Sequence, residues 1–281
     1  MMRLAVSNIA WSFDNRLAAY AILRDHGLDG LEIAPSLLFA GADDPFLPPA
    51  AVVAARLGEI AGAGLRLVSM QSLLFGVGDA ALFGPPAAAD RLVRGLERAI
   101  VLAGRLGIPN LVFGSPRQRV VPPELSPDAA LQHACGVFRR LGDLAAANGT
   151  RLALEPNPAG YGTNFMTTFA ETLAVVHAAG HPAVTLNFDL GALHMTGAAG
   201  DAAALIAAAG PHLSHVHLSA PFLAPAPQTT EEAAAVLRAL AGTGYAGAVS
   251  VEMKAVAGDE LAGVAVAAER LRAAAEVTGV A

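Results

Sequence analysis

The chain has 281 residues, 54% hydrophobic and only 15% charged, with a formal net charge of −6. Globular chains average about 25% charged residues, so this composition excludes intrinsic disorder. With 18 basic against 24 acidic residues, it also lacks the basic footprint that nucleic-acid binding needs. A membrane span is not expected either, because crossing a bilayer takes about 20 consecutive apolar residues and the apolar runs here, such as 261–268, are short and interrupted. The N-terminus meets Ser7 and Asn8 before a signal-peptide core can form. Cys135 has no second cysteine to pair with, so no internal disulfide framework is possible. These features together predict a cytoplasmic protein.

A β-rich run, a loop and an amphipathic helical stretch alternate along the chain. Strands are predicted at 4–7, 30–33, 65–69, 110–113, 151–154, 184–188, 213–218 and 248–251. Helices are predicted near 16–26, 50–63, 87–106, 127–148, 167–180, 201–209, 230–241 and 259–278. Several close on Gly or Asn, a normal helix stop: Gly27, Gly64, Gly107, Asn148 with Gly149, and Gly180. Alternating strands and helices imply a parallel sheet, and eight such units predict one domain over 1–281, a single (β/α)8 TIM barrel. No Gly-x-Gly-x-x-Gly stands at a strand-to-helix turn, which argues against a dinucleotide fold. The long loops (35–49, 72–86, 114–126, 156–166 and 219–229) all follow strands. Barrel enzymes build their sites from that set of loops.

Side chains alternate faces along a strand. Large apolar residues such as Leu152, Leu154, Leu186, Phe188, Val216, Val249 and Val251 should face the helices, leaving small and polar ones for the barrel axis. Four successive strand ends then aim Glu155, Asp189, His217 and Glu252 inward, at spacings of 34, 28 and 35 residues, each about one βα unit. Any one strand-end carboxylate is ordinarily a helix cap or a surface group. Four in register are different, because converging carboxylates repel one another and resist desolvation. A divalent cation relieves that conflict most directly. Three carboxylates and one imidazole suit Mn2+ first, with Co2+ or Mg2+ as alternatives, whereas structural Zn2+ prefers Cys and His.

The stretches Ala-Val-Ser-Asn-Ile-Ala-Trp (5–11), Gly-Leu-Glu-Ile-Ala-Pro (30–35), Leu-Val-Phe-Gly-Ser-Pro-Arg-Gln-Arg (111–119), Leu-Ala-Leu-Glu-Pro-Asn (152–157), His-Val-His-Leu-Ser (215–219) and Val-Ser-Val-Glu-Met-Lys (249–254) cover nearly the whole chain. As a set they resemble the xylose-isomerase-like TIM-barrel superfamily, the sugar phosphate isomerase/epimerase group that includes tagatose 3-epimerase-like enzymes. The resemblance implies that Glu155, Asp189, His217 and Glu252 are the metal ligands, and that Glu155 and Glu252 also serve as the catalytic acid/base pair. The chain departs from the family pattern at Ala192, where relatives often carry His, and at Ala220, where they commonly place an acid. The sugar-contacting Arg of some ketose epimerases is also absent from that loop.

Further residues are assigned to the same mouth. Glu32 ends the second strand as the family's usual inward acid, to bond a ligand or to support the site. Gln71 and Trp11 are assigned substrate contacts, Trp11 as an apolar wall. Arg117 and Arg119 lie in a loop with exposed amides and could hold a phosphate or carboxylate. His194 is assigned a substrate contact, and His215, facing inward one layer below His217, a supporting role.

The function expected from the resemblance is a divalent-metal-dependent isomerase or epimerase of a sugar, sugar phosphate or polyol-like carbonyl compound, working by Glu-mediated proton transfer through a metal-stabilised enediolate. The alternative is a dehydratase or lyase of the same fold, resembling inosose or dehydroshikimate dehydratases, and after it a non-catalytic sugar-binding barrel. An AP-endonuclease-like nuclease would need more His ligands and a basic face. The expected partners are a small carbohydrate-like substrate and a second copy in a homo-oligomer, with no nucleic acid and no membrane.

Overall fold

The computed structural model describes residues 2–280. Its eight parallel strands form a closed barrel in chain order. The elements are β1 (Arg3–Ser7), α1 (Arg16–Asp25), β2 (Gly30–Ile33), α2 (Pro35–Leu38), α3 (Ala50–Gly62), β3 (Arg66–Met70), α4 (Pro86–Leu106), β4 (Leu111–Phe113) and α5 (Pro127–Ala147). The second half follows with β5 (Leu152–Leu154), α6 (Phe169–Ala179), β6 (Val184–Asp189), α7 (Leu190–Thr196), α8 (Ala202–Ala209), β7 (Leu213–Ser219), α9 (Thr230–Gly242), β8 (Ala248–Glu252) and α10 (Glu260–Thr278). This is the single (β/α)8 TIM barrel expected from the sequence.

The alternation that predicted the strands also builds the core. Outward Leu152, Leu154, Leu186, Phe188, Val216 and Val249 are fully or almost fully buried against the helices. Helix α4 contributes Leu92, Leu96, Ala99, Ile100 and Ala103 at helical spacing, a stripe facing one way. Side-chain oxygens start several helices: Ser126 accepts from Ala129 N–H at α5, and Thr168 from Glu171 N–H at α6, satisfying donors the first turn leaves open. Gly107 and Gly180 end α4 and α6 with φ of 67° and 58°, a conformation that Gly adopts without steric cost.

Two short helices fall in segments that carry no helical period. One is α2, a single turn begun by Pro35; the other is α7, whose Leu-Gly-Ala-Leu start is apolar on every side. Strands β6, β7 and β8 also run one residue further than expected, through Asp189, Ser219 and Glu252. Register then brings the strand ends level, pairing Ser7 with Glu32, Asp189 with His217, and Ser219 with Glu252. The register shifts between Leu31 and Glu32 and between Leu186 and Asn187, irregularities that re-aim the side chains beyond them. Among the described residues, no helix is long and apolar enough to cross a membrane.

Candidate functional site

The four strand-end residues converge as their alternation predicts. Glu155, Asp189, His217 and Glu252 each offer one ligand atom within 4.8 Å of all the others. His217 Nδ1 lies 2.9 Å from Glu155 Oε1, 3.3 Å from Glu252 Oε2 and 3.9 Å from Asp189 Oδ2. Its Nε2 faces the other way, 3.1 Å from Glu32 Oε1. A carboxylate on Nε2 fixes the tautomer that leaves Nδ1 free for a cation, an arrangement common around metal-bound His. Among the described residues, Glu32 with His215 and His217 forms a second group close enough to share an ion, but it is fully buried beneath the first and orients it.

Local packing dictates how each of the four side chains is presented. Asp189 caps α7: its Oδ1 accepts from Ala192 N–H at 2.5 Å, and its Oδ2 accepts from Ser219 Oγ at 2.7 Å. The Ser219 hydroxyl is in turn met by Gly191 N–H at 2.9 Å. A Cβ on Gly191 would sit 2.8 Å from that hydroxyl oxygen, so the close approach requires glycine. Gly114 does the same for Glu155, since a Cβ there would lie 2.5 Å from Oε2. Asn187 donates to Glu155 Oε1 at 2.8 Å, and Asn157 donates to Glu155 Oε2 at 3.0 Å.

Charge is the unresolved tension in this cluster. Burial, then the charges of Glu155 and Glu252, pushes the Asp189 carboxyl up to about 8. Burial also raises Glu252, against the pull of His217. Burial opposes ionisation of Glu155 too, but the His217 hydrogen bond and charge, with Asn157 and Arg119, hold it below the usual range. His217 itself is raised well above an ordinary imidazole: burial resists its charge, and Glu252, Glu32 and Glu155 overcome that resistance. Three carboxylates converging on one imidazole, with Asp189 and Glu252 both raised by burial and by the charge of neighbouring carboxylates, fit a divalent cation. The oxygen-rich donors favour a hard ion.

The first three strands, with His215 of β7, supply the layer beneath. Glu32 is fully buried, with His215 Nε2 3.2 Å from its Oε1. Gln71 donates to Ser7 Oγ at 2.9 Å and to Glu32 Oε2 at 3.4 Å. Burial works against ionising Glu32, but the charges and hydrogen bonds of His217 and His215 keep it well below the ordinary carboxylate range. Asn8 ties β1 to β2 by accepting from Ala34 N–H at 2.6 Å.

Several expected substrate contacts are placed differently. Arg119 is fully buried rather than displayed in its loop. Its guanidinium donates to the carbonyls of Phe165 at 2.6 Å, Met166 at 3.2 Å and Glu155 at 3.0 Å, and to Asn157 Oδ1 at 2.6 Å. Those bonds occupy the donors that an anion would have used, and burial lowers the group to about 9, still charged at neutral pH. Trp11 is only 3% exposed and meets Tyr20 edge-on, with ring centroids 6.3 Å apart; it packs instead of forming an open wall. His194 Nε2 lies 2.5 Å from Glu232 Oε1 on α9, so it couples two helices. Arg117 remains exposed, its stem beside Gly162.

The rim carries an aromatic pair that the sequence did not single out. Tyr161, after β5, and Phe222, after β7, meet edge-on at 5.5 Å. Phe222 N–H donates to the Tyr161 hydroxyl at 2.9 Å. Phe222 and Leu223 both have positive φ, 59° and 60°, a region costly for side chains with a Cβ. Leu223 O accepts from Lys254 N–H at 3.0 Å, tying this loop to the segment after Glu252. Tyr161 is raised by burial, opposed by the Phe222 N–H and reinforced by the charges of Asp189, Glu252 and Glu155, so its hydroxyl feels the cluster. Phe222 nevertheless stays 60% exposed.

Comparison with known proteins agrees with this architecture. The structure resembles 3-keto-D-glucoside 4-epimerase (YcjR) from E. coli, at a TM-score of 0.74 and 19% identity over 100% of both chains. It resembles an L-ribulose 3-epimerase at a TM-score of 0.74 and 20% identity, over 99% of this chain and 94% of the other. D-allulose 3-epimerase from Methylomonas sp., solved with D-allulose, aligns at 0.73 and 20%, over 96% and 94%. At such identities the likeness is one of fold. None of the curated proteins matches the chain significantly. The family model described as xylose isomerase-like TIM barrel matches residues 20–274, nearly the full length of the closed barrel, and the chain belongs to that family.

Proposed function

We propose that the barrel mouth is the active site of a divalent-metal-dependent isomerase or epimerase acting on a sugar, sugar phosphate or polyol-like carbonyl compound. The observation that carries this reading is the convergence of Glu155, Asp189, His217 and Glu252 from four consecutive strands within 4.8 Å. The epimerases that share the fold, among them enzymes of L-ribulose and D-allulose, support it. The ligands are Glu155, Asp189, His217 through Nδ1, and Glu252, with Mn2+ the first choice and Co2+ or Mg2+ the alternatives. A divalent cation held there supplies electrophilic stabilisation of the negative charge that develops on a substrate carbonyl oxygen.

The chain's own residues do the rest. Glu155 stands just after β5 and Glu252 at the end of β8, and both reach His217 Nδ1. One carboxylate removes the proton next to the carbonyl, and the other returns a proton from the opposite side. Each positioned group of this kind is worth about 10²–10⁴-fold. Asn157 and Asn187 hold the Glu155 oxygens in place, which limits the reorganisation a proton transfer would otherwise require. The Tyr161–Phe222 pair offers the apolar face of a sugar a surface to lie on, and Arg117 is the exposed cation of the rim.

Elemental analysis of the purified protein, followed by incubation with ketoses, inososes and sugar phosphates in deuterated water, tests the reading. One equivalent of metal is expected, with solvent deuterium entering next to a carbonyl without loss of water. Glu155→Gln and Glu252→Gln should each lose at least about 10²-fold in turnover. Full activity in either variant would overturn the assignment, and release of water would replace it with a dehydratase.

A further inference from the structure

Three large hydrophobic side chains stand exposed on one outer face of the barrel. Leu47 is 64% exposed in the loop after α2, Phe75 55% in the loop after β3, and Val101 42% on α4. Single exposed apolar residues are ordinary, but a contiguous group of them marks a contact surface. Here the group is fastened in place. Arg98 of α4 donates to Asp44 Oδ2 at 3.0 Å and to the carbonyl of Phe75 at 2.7 Å, and its guanidinium lies over the Phe46 ring, 4.3 Å from the centroid. Arg105, two turns further along α4, donates to the carbonyl of Pro48 at 3.1 Å. Leu47 lies between these two anchors in its loop, and Val101 lies between them on the same stripe of α4. Phe75 is held at the first anchor by its backbone, which leaves its ring in solvent.

Charge decides what covers this face. Arg94, Arg98 and Arg105 share it with Asp43, Asp44 and Glu97, equal numbers of each sign, so it favours neither an acidic nor a basic partner. Arg98 and Asp44 are matched to each other, and Arg105 is occupied by Pro48. Arg94 and Asp43 are exposed and Glu97 is half-buried, and none of the three has an ion-pair or hydrogen-bond partner among the described residues. A face left with uncommitted groups of both signs is complementary to its own copy. A two-fold axis carries the base of each protomer to the acids of the other, and so satisfies both sets at once. Phe and Arg are also among the residues that interfaces enrich.

We infer that this face is the interface of a two-fold symmetric dimer of the chain, with Leu47, Phe75 and Val101 at its apolar centre and Arg94 of each protomer answered by the acids Asp43 and Glu97 of the other. Neither the face nor its pairing involves the four clustered residues of the mouth, so the inference stands apart from the reaction assigned there.

Light scattering on the full-length protein as it elutes from a sizing column, over a dilution series, tests the inference. The wild type is expected to be a dimer. The double change Leu47→Asp with Phe75→Asp alters only exposed positions and should raise the dissociation constant at least about 30-fold, the effect of one lost hot spot. Val266→Asp, at an exposed apolar position on α10, should remain dimeric. Arg94→Glu alone, and Asp43→Arg with Glu97→Arg in another chain, should each self-associate more weakly, because every cross-axis pair becomes like-charged. Mixed together, the two charge variants should form a heterodimer, since both sets of pairs are then opposite in sign. Circular dichroism reports whether each variant is folded. Four results would overturn the inference: a monomeric wild type at every dilution, an undiminished dimer in the Leu47 and Phe75 variant, an equal loss in Val266→Asp, or no pairing between the mixed charge variants.

Discussion

Strands β5 to β8 carry Glu155, Asp189, His217 and Glu252 at or near their C-terminal ends, facing one another, whereas β1 to β3 and the residues after them contribute Ser7, Asn8, Glu32 and Gln71, which tie the strands together or touch the back of His217. The second group is hardly less polar than the first, and Glu32 is more deeply buried than Glu155 or Glu252. What separates them is the direction of the hydrogen bonds. In the later half the carboxylates point at a shared space, while in the earlier half they point at His217 and its neighbours. One half of the barrel carries the clustered carboxylates, and the other carries the polar layer behind them.

Replacing Glu32 by Gln is the sharpest challenge to that division. Removing a partner that orients a metal-bound His typically costs 10–100-fold in affinity, so the variant should still bind metal, about 10–100-fold more weakly by competitive chelation. A loss as complete as that of His217→Ala would erase the distinction between the halves.

Phe222→Gly probes the rim above the later half. Losing an aromatic surface worth roughly 0.5–1.5 kcal/mol should raise KM roughly 2–10-fold with little change in kcat, the signature of uniform binding. The same change relieves a left-handed backbone position, so stability should rise by about 1 kcal/mol. An unchanged KM would remove Phe222 from the substrate's path.

Dependence on pH probes the later half directly. Asp189 is raised to about 8 in the folded, metal-free chain, above its unfolded value, so its contribution to stability is full in acid and lost as pH climbs from the usual aspartate range through about 8. His217 is also raised and acts in the same sense. Glu32 and Glu155 are lowered; their contribution holds above the carboxylate range and fades in acid. The thermal midpoint of the metal-free protein should therefore decline toward pH 8, by about 2–4 °C per kcal/mol. Asp189→Asn should flatten that slope, and an identical slope in the variant would place the proton elsewhere.

Alternation along the strands made the barrel and its inward residues legible, because one buried face forces a period of two. The four clustered residues could be read for the same reason: each lies within two residues of the end of a strand whose other face is fixed by Leu, Phe or Val. Arg119 could not be read in this way. Nothing in Gly-Ser-Pro-Arg-Gln-Arg distinguishes an arginine that solvates from one that turns inward, since the carbonyls of Phe165 and Met166 that receive it belong to a loop 46 and 47 residues later. The placement of Trp11 and His194 could not be read for a related reason: Tyr20 and Glu232, their partners, are set by helix placement rather than by spacing. Tyr161 and Phe222 lie in loops with no period at all.

The burial of Arg119 has a consequence for redesign. Its guanidinium joins the loop after β4 to three carbonyls of the segment after β5, so the two loops are one mechanical unit with Glu155 at its edge. Transplanting either loop alone from a related barrel would strand a buried cation on one side or bare carbonyls on the other. Substrate range in this chain can be exchanged only by moving both loops together, with Arg119 travelling as their common rivet.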